Sequence, residues 1–251
     1  MNEQLHIEII GDHSSSDTVL VFLHDAIGSV SQWKDFPQLL CKQTHLPGLL
    51  YDRSGHGTSG PLTGHRQPDY MHRYAWDELA AVVQSELRDK KMILVGHSDG
   101  GSIALLFASQ FPQQVKAIIT MAAHVFVEEI TLDGIRATRD TFAEGDWMNK
   151  LKKHHGNNTE SIFEAWWKTW LSPGFRNWNI EDRLTHVVCP VFAIQAKDDN
   201  YGSEKQVDAI LHGISGAGEK WMIDGKCGHA PWKSRTDEVV SAIAHFIHQY
   251  C

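Results

Sequence analysis

Short apolar runs alternate with amphipathic stretches along much of the chain. The apolar runs predict seven strands, at His6–Ile10, Val19–Leu23, Leu49–Tyr51, Met92–Val95, Ala117–Met121, Val191–Gln195 and Lys220–Ile223. Many of the intervening stretches repeat apolar residues at helical spacing, as at Trp76, Leu79, Val82, Val83 and Leu87. This alternation predicts an α/β fold with a mostly parallel sheet and helices on both faces. The turn-prone stretch Gly11–Asp17 would also allow the first two strands to pair as an antiparallel hairpin.

Residues 124–183 interrupt the alternation. They contain no clear strand and are rich in aromatic side chains. We predict that they form a helical cap domain inserted between two strands, and that residues 1–123 and 184–251 form the core domain. Most of the aromatic residues would pack the cap onto the core, while a minority would line a pocket. The candidates for the pocket are Trp166, Trp170 and His124, the last of which begins the cap directly after a strand.

The composition and net charge limit the classes of protein to which the chain could belong. The 251 residues are 42% hydrophobic and 22% charged, which is ordinary for a globular protein. The net charge is −8 and the basic residues are scattered apart from Lys150–Lys153, so we expect no nucleic-acid partner. The first residues show no signal-peptide pattern, and no apolar run is long enough to span a bilayer, so we expect a cytoplasmic protein without a membrane partner. Four cysteines without metal-knuckle spacing predict free thiols.

The most informative motif is Gly96–Gly100, a Gly-x-Ser-x-Gly pattern centred on Ser98. A buried strand precedes it and a helical pattern follows at once, which is the context of a nucleophile elbow. In such an elbow a sharp turn lifts the serine hydroxyl above the sheet, and the flanking glycines leave room for the tight crossing. The sequence therefore predicts Ser98 as a catalytic nucleophile.

A serine hydroxyl needs a base to remove its proton, and in this arrangement an acid and then a histidine follow the serine along the chain. Asp198 and Asp199 both follow the strand Val191–Gln195, and either could be the acid. His229 follows the last predicted strand and stands out among 16 histidines by its order and location. We expect the other histidines of the second half, including those at 154 and 155, to be surface or packing residues.

Acyl transfer also needs donors for the negative charge that develops on the carbonyl oxygen. The residue after the nucleophile supplies one backbone N–H, which assigns Asp99. The loop after an early strand supplies the other, and we assign the N–H of Ala26 in the stretch His24–Ser29.

Four segments now resemble the α/β-hydrolase superfamily in its capped, serine-nucleophile branch: His24–Ser29, Asp52–Ser59, Gly96–Gly101 and Gly228–His229. The resemblance implies a core sheet of about eight strands with the cap after strand 6. It also favours Asp199 over Asp198, because the family's acid commonly lies three residues after a small residue such as Ala196. One departure is Asp25, which stands where the family often has glycine after the oxyanion-loop histidine.

These features predict a hydrolase that cleaves carboxylic esters through an acyl-enzyme on Ser98, with a small-molecule ester or lactone as its substrate. The chemistry requires no metal or organic cofactor. The alternatives are a lactonase, including one for acyl lactones, a carbon–carbon bond hydrolase, and a ligand-binding receptor on the same fold. The run Lys150–His155 is expected to be a solvated helix face, with an acidic partner such as an acyl carrier as the alternative. The sequence leaves the oligomeric state open.

Overall fold

The structure is a computed structural model that describes residues 5–142 and 146–251. Seven strands form one sheet in the order β1-β3-β2-β4-β5-β6-β7. Their bounds are β1 Ile7–Ile10, β2 Thr18–Leu23, β3 Gly48–Tyr51, β4 Lys91–His97, β5 Val115–Met121, β6 Val191–Ala196 and β7 Gly218–Ile223. All neighbours pair in parallel except β1, which is antiparallel to β3. The predicted mostly parallel sheet is confirmed.

Two expectations about the sheet are wrong. The described residues form seven strands, not eight, so the inserted helices follow the fifth strand instead of the sixth. The first two strands also do not form a hairpin. Instead, β3 lies between them and uses both of its edges, so that Gly48 pairs with Ile10 of β1 on one side and with Leu20 of β2 on the other. Proximity along the chain favoured a hairpin, but the buried β2 gains a parallel neighbour on each side by this order.

Helices cover both faces of the sheet. Their bounds are α1 Phe36–Thr44, α2 Tyr70–Arg73, α3 Ala80–Glu86, α4 Asp99–Gln110, α5 Glu129–Phe142, α6 Trp147–His155, α7 Thr159–Trp170, α8 Glu181–Leu184, α9 Glu204–Gly213, α10 Pro231–Ser234 and α11 Thr236–Tyr250. A π-helical stretch at Tyr74–Leu79 joins α2 to α3. Helices α1 and α11 pack together on one face, while α4 packs against β2, β4 and β5 on the other.

The core follows from the period-2 alternation of the central strands. In β2, Val19, Val21 and Leu23 belong to the apolar cluster on the α4 face, whereas Leu20 and Phe22 belong to the cluster on the α1 and α11 face. All these side chains are at most 1% exposed. A strand that is buried on both faces has a continuous apolar sequence, which explains why the apolar run Val19–Leu23 predicted β2. Burial of each such side chain is worth about 1.5–3 kcal/mol.

Residues 124–183, called the helical segment below, leave the sheet after β5 and return to it before β6. The two ends of the segment meet, because Ile180 N donates to Val125 O at 2.8 Å and Phe126 pairs with Asn179 in an isolated bridge. The helices α5, α6 and α7 therefore form an excursion on the carboxyl side of the strands. In the described part of the chain, no helix has both the length and the apolar character needed to cross a membrane.

Candidate active site

Ser98 lies at the sharp turn between β4 and α4. Its backbone has φ 52° and ψ −119°, a conformation that L-residues rarely adopt. The crossing is so tight that a Cβ added to Gly100 would lie 1.9 Å from Leu23 O, and one added to Gly96 would lie 2.3 Å from Gly100 O. Only glycine fits at these two positions, which explains the spacing of the motif around the serine. The strained turn is held by Ser98 N, which donates to Met121 O at 2.8 Å.

The structure brings Asp199 and His229 together beside this turn. His229 Nδ1 lies 2.9 Å and 3.0 Å from the two carboxylate oxygens of Asp199. Gln195 Nε2 and Tyr201 N also donate to that carboxylate, at 2.7 Å and 2.8 Å, and fix its orientation. Because Nδ1 faces a carboxylate, it carries the proton, which leaves Nε2 as the basic nitrogen of His229. Both Ser98 and His229 line one cavity.

Asp198, the other candidate acid, has a different place. Its carboxylate accepts the backbone N–H groups of Cys227, at 3.0 Å, and Gly228, at 2.8 Å. These bonds lower the pKa of Asp198 and shape the loop that carries His229. The two adjacent aspartates therefore have different partners: Asp199 contacts the imidazole of His229, and Asp198 contacts the loop that carries His229.

Asp199 is buried, His229 is partly buried, and opposite charges on the two side chains stabilise each other. Burial alone would lower the pKa of His229, but the Asp199 carboxylate outweighs it and the net pKa of His229 is raised. Burial would raise the pKa of Asp199, but the imidazole and the hydrogen bonds from His229 and Tyr201 lower the net value. The arrangement stabilises an imidazolium, the species that forms when His229 takes a proton.

The two backbone donors expected to face the substrate oxygen also line the cavity. Ala26 is 4% exposed and Asp99 is 1% exposed, and both contribute to the lining. Neither amide donates to a hydrogen bond within residues 5–142 and 146–251. Both N–H groups are therefore available to an oxygen of a bound molecule.

Two carbonyl groups of the loop His24–Ser29, which carries the candidate oxyanion donor Ala26, are held by one buried side chain. The Arg53 guanidinium donates to both His24 O and Asp25 O at 2.6 Å. In a trans peptide the N–H points opposite to the preceding C=O, so the bond to Asp25 O directs the Ala26 N–H away from Arg53. The Asp52–Ser59 turn, which supplies Arg53, is tied to the same loop because Asp52 accepts Val30 N at 2.7 Å.

His155 links the helical segment to this loop. Gly57 N donates to His155 Nδ1 at 2.9 Å, so that nitrogen carries no proton. The other ring nitrogen therefore carries the proton and donates to Ile27 O at 2.9 Å. Burial lowers the pKa of His155, consistent with this neutral form. The ring thus bridges α6, the oxyanion loop and the Asp52–Ser59 turn.

The cavity has a volume of about 480 Å³ and is lined by the sheet edge on one side and the helical segment on the other. All three residues predicted for the pocket, His124, Trp166 and Trp170, line it. The indole N–H of Trp170 donates to Tyr70 Oη at 3.0 Å, and Tyr70 in turn donates to the Asp99 carboxylate at 2.6 Å. A side chain of the helical segment is therefore coupled to the residue that follows the nucleophile.

Sequence reasoning missed several side chains at this site. His155 was expected to be a surface or packing residue, and it is a buried packing residue whose ring also links the His24–Ser29 loop to the Asp52–Ser59 turn, a connection that the sequence did not predict. Lys150 and His154 belong to the run expected to be a solvated helix face, yet both line the cavity together with Lys233. The run of basic residues Lys150–His155 pointed to this part of the chain, but a run of like charges does not indicate which of its side chains face the cavity.

Comparison with known proteins identifies the class. A family model for the alpha/beta hydrolase fold matches residues 18–220, and the chain belongs to this family of hydrolases. A proline iminopeptidase of Lactobacillus acidophilus is 22% identical over 98% of this chain and 95% of its own length. The human serine hydrolase BPHL is 26% identical over 89% of this chain and 76% of its own length.

Solved structures share the fold. An enol-lactonase from Burkholderia xenovorans superposes with a TM-score of 0.76 and 15% identity, covering 97% of this chain and 96% of its own. A thermophilic esterase from Thermogutta terrifontis has a TM-score of 0.72 and 19% identity, covering 98% of this chain and 93% of its own. The α/β-hydrolase fold predicted from the motifs is confirmed, with seven strands in place of eight.

Proposed function

We propose that the protein is a serine hydrolase that cleaves carboxylic esters through an acyl-enzyme on Ser98. The observation that carries the proposal is the hydrogen-bonded Asp199–His229 pair beside the strained turn of Ser98, with Ser98 and His229 lining one cavity. In this proposal Asp199 orients the base, His229 is the general base and acid, and the amides of Ala26 and Asp99 form the oxyanion hole.

The reaction begins with attack of Ser98 Oγ on the ester carbonyl carbon. His229 Nε2 takes the hydroxyl proton, and the carbonyl π electrons move onto the oxygen, which the N–H groups of Ala26 and Asp99 hold. The tetrahedral intermediate then collapses, the C–O bond to the alcohol breaks, and the alkoxide leaves with the proton from His229. The products of this first half-reaction are the free alcohol and the acyl ester of Ser98.

Water completes the cycle. His229, neutral again, removes a proton from a water molecule that attacks the acyl carbon, and a second tetrahedral intermediate forms on the same two amides. Its collapse breaks the bond to Ser98 Oγ, which recovers its proton from His229. The acid is released and the enzyme returns to its starting protonation state, so no cofactor takes part.

In this proposal residues 124–183 act as a cap domain on the core of residues 1–123 and 184–251. His124, Trp166 and Trp170 would contact the substrate, because all three line the cavity opposite the sheet edge. His124 is 3% exposed, its Nε2 donates to Tyr201 O at 2.9 Å, and its Nδ1 has no hydrogen-bond partner in the described residues. This Nδ1 is therefore an acceptor, and a substrate hydroxyl could donate to it in an otherwise aromatic wall.

Peptide hydrolysis is the second candidate because relatives that match nearly the whole chain are named proline iminopeptidases. An enzyme that removes an N-terminal residue must accommodate an ammonium group. Of the two carboxylates that line the cavity outside the Asp199–His229 pair, Asp99 is 1% exposed and accepts from Tyr70 through one oxygen, and Asp25 accepts Ile27 N at 3.0 Å, so neither is presented openly to an ammonium group. The cavity therefore favours an ester over a peptide amine. Lactone opening would use the same steps on a cyclic ester.

The test is a substrate panel on the purified protein: 4-nitrophenyl esters of increasing acyl length, acyl homoserine lactones and prolyl 4-nitroanilide. We expect ester turnover that Ser98→Ala abolishes, and labelling of Ser98 by a fluorophosphonate probe that the same variant loses. Faster turnover of lactones or of the anilide would assign the site to that substrate instead. Failure of the probe to label the folded protein would favour a ligand-binding receptor over any serine hydrolase.

A further inference from the structure

The outer part of the cavity carries positive charge. Lys150, Lys233 and the ring of His154 line it. Lys153 precedes His154 on α6, and Lys34 lies three residues after Ser31, which hydrogen-bonds to His154 at 2.8 Å. Burial lowers the pKa of His154, and the charges of Lys233, Lys153 and Lys34 lower it further. These five residues, called the basic rim below, come from three separate stretches of the chain. The whole chain has a net charge of −8, so this cluster of basic residues is opposite in sign to the overall charge.

The rim has no internal counter-charge in the described part of the chain. The lysine ion pairs found there involve Lys168, Lys197 and Lys220, which lie outside the rim. Two rim lysines contact aromatic faces instead, with Lys150 Nζ 5.5 Å from the ring centre of Trp147 and Lys233 Nζ 5.0 Å from that of Trp232. Such contacts leave the ammonium groups charged and able to bind an anion.

The carboxylates that line the cavity form no ion pair with the rim lysines in the described residues. Asp99 is 1% exposed and bonded to Tyr70, and the Asp25 carboxylate lies 3.3 Å from His97 Nδ1. Both lie beside the nucleophile, whereas the rim residues lie on α6 and α10 and beside the oxyanion loop. The cavity thus has hydrogen-bonded acids at the reacting end and, among the described residues, lysines without ion pairs at the outer end.

We propose that the substrate is an ester whose far end carries a carboxylate, bound by the basic rim while the reactive carbonyl lies at Ser98. This inference rests on the proposed ester hydrolysis and specifies its substrate class. A small molecule is favoured over an acidic protein because Lys150, His154 and Lys233 line the cavity itself. A cavity of about 480 Å³ encloses a ligand of that size, with aromatic walls for the carbon chain between the two polar ends.

The experiment uses matched pairs of esters that differ by one charge. 4-Acetoxybenzoate and its methyl ester place the charge on the alcohol side, and the 4-nitrophenyl monoester of suberic acid and its methyl ester place it on the acyl side. We expect kcat/KM to favour the anion in at least one pair by about tenfold, the sum of a few partly exposed charge contacts. The preference should shrink when salt shortens the Debye length from about 30 Å at 10 mM to about 3 Å at 1 M.

Two variants complete the test. Replacing both Lys150 and Lys233 with glutamine should reduce the anion-to-neutral ratio to near one, whereas Lys116→Gln, an exposed lysine at the start of β5, should keep the wild-type ratio. A ratio of one or less in both pairs, or a ratio that the double variant leaves intact, would overturn the inference while ester hydrolysis stands. Hydrolysis of acyl-carrier thioesters that is faster than that of all four esters and is lost in the double variant would assign the rim to a protein partner instead. No turnover of any ester by protein that the fluorophosphonate probe labels would overturn the proposed function itself.

Discussion

Asp25 Oδ2 lies 3.3 Å from His97 Nδ1, and the other ring nitrogen of His97 lies 2.8 Å from His229 O. A carbonyl oxygen accepts, so Nε2 of His97 carries a proton and donates to His229 O. The ring of His97 therefore lies between the Asp25 carboxylate and the backbone of His229. This contact connects the His24–Ser29 loop to the loop that carries His229. It gives a physical role to the aspartate that replaces the glycine usual in the family.

Asp25→Asn should slow the reaction by weakening this connection. Asp25 also contributes to the raised pKa of His229, so its neutralisation should move the acid limb of the kcat/KM profile to lower pH. We expect kcat to fall about tenfold with little change in KM, the signature of a lost transition-state interaction. Asp17→Asn, at an exposed position, serves as the control. A profile that keeps its acid limb in Asp25→Asn would contradict the role of the pair.

The division between the adjacent aspartates predicts very different effects of the same substitution. Asp199→Asn removes the charge that holds His229 in its tautomer and should lower kcat by about 10³–10⁴. Asp198→Asn keeps an oxygen that can accept from Cys227 or Gly228 and should cost far less. Steady-state kinetics on both variants, with thermal melts to verify folding, checks the assignment. Equal losses in the two variants would argue against Asp199 as the acid.

The pH dependence of turnover should follow the protonation of His229, the proposed general base. Because the net pKa of His229 is raised, the imidazole becomes neutral only above its ordinary value of about 6.5. We therefore expect kcat/KM to rise through an acid limb that lies above this value and to reach a plateau at higher pH. In Asp199→Asn the residual activity should show the limb at lower pH, because burial then acts without the carboxylate. A limb below about 6.5 in the wild-type enzyme would contradict the raised pKa.

Much of this site could be predicted from the sequence, and the failures have identifiable causes. Ser98 and His229 were predicted because motif, order and strand context agree along the chain, and the structure places both at one cavity. Strand context alone left both Asp198 and Asp199 open, since both follow β6, and the spacing from Ala196 that the family resemblance implies favoured Asp199, whose carboxylate contacts the imidazole. His155 was missed because Ile27, which it contacts, lies 128 residues away. Adjacent residues on a helix point about 100° apart, so sequence alone did not show that His154 would face the cavity and His155 the loop.

The bridge made by His155 predicts that the helical segment influences catalysis through the oxyanion loop. In His155→Ala, Ile27 O and Gly57 N lose their partner, which should lower the free energy of unfolding by about 1–3 kcal/mol. The looser loop should also lower kcat by about tenfold or more, within the range seen when an oxyanion donor is lost. His186→Ala, at an exposed position, should change neither quantity. A variant that is destabilised but keeps full kcat would show that the bridge is purely structural.

Stability should fall in mild acid, because burial lowers the pKa of four enclosed histidines, His24, His56, His124 and His155. The unfolded chain protonates these rings near pH 6.5, whereas the folded chain does so only at lower pH, so folding releases protons between the two values. Their contribution is therefore fully present above about pH 6.5 and is lost as the pH falls toward the folded values. The raised pKa of His229 has the opposite effect and increases the free energy of unfolding as the pH falls, but this is one histidine against four. Urea unfolding at several pH values between 8 and 5 should give a free energy that declines steadily below about 6.5, and a flat profile there would mean that these rings titrate alike in both states.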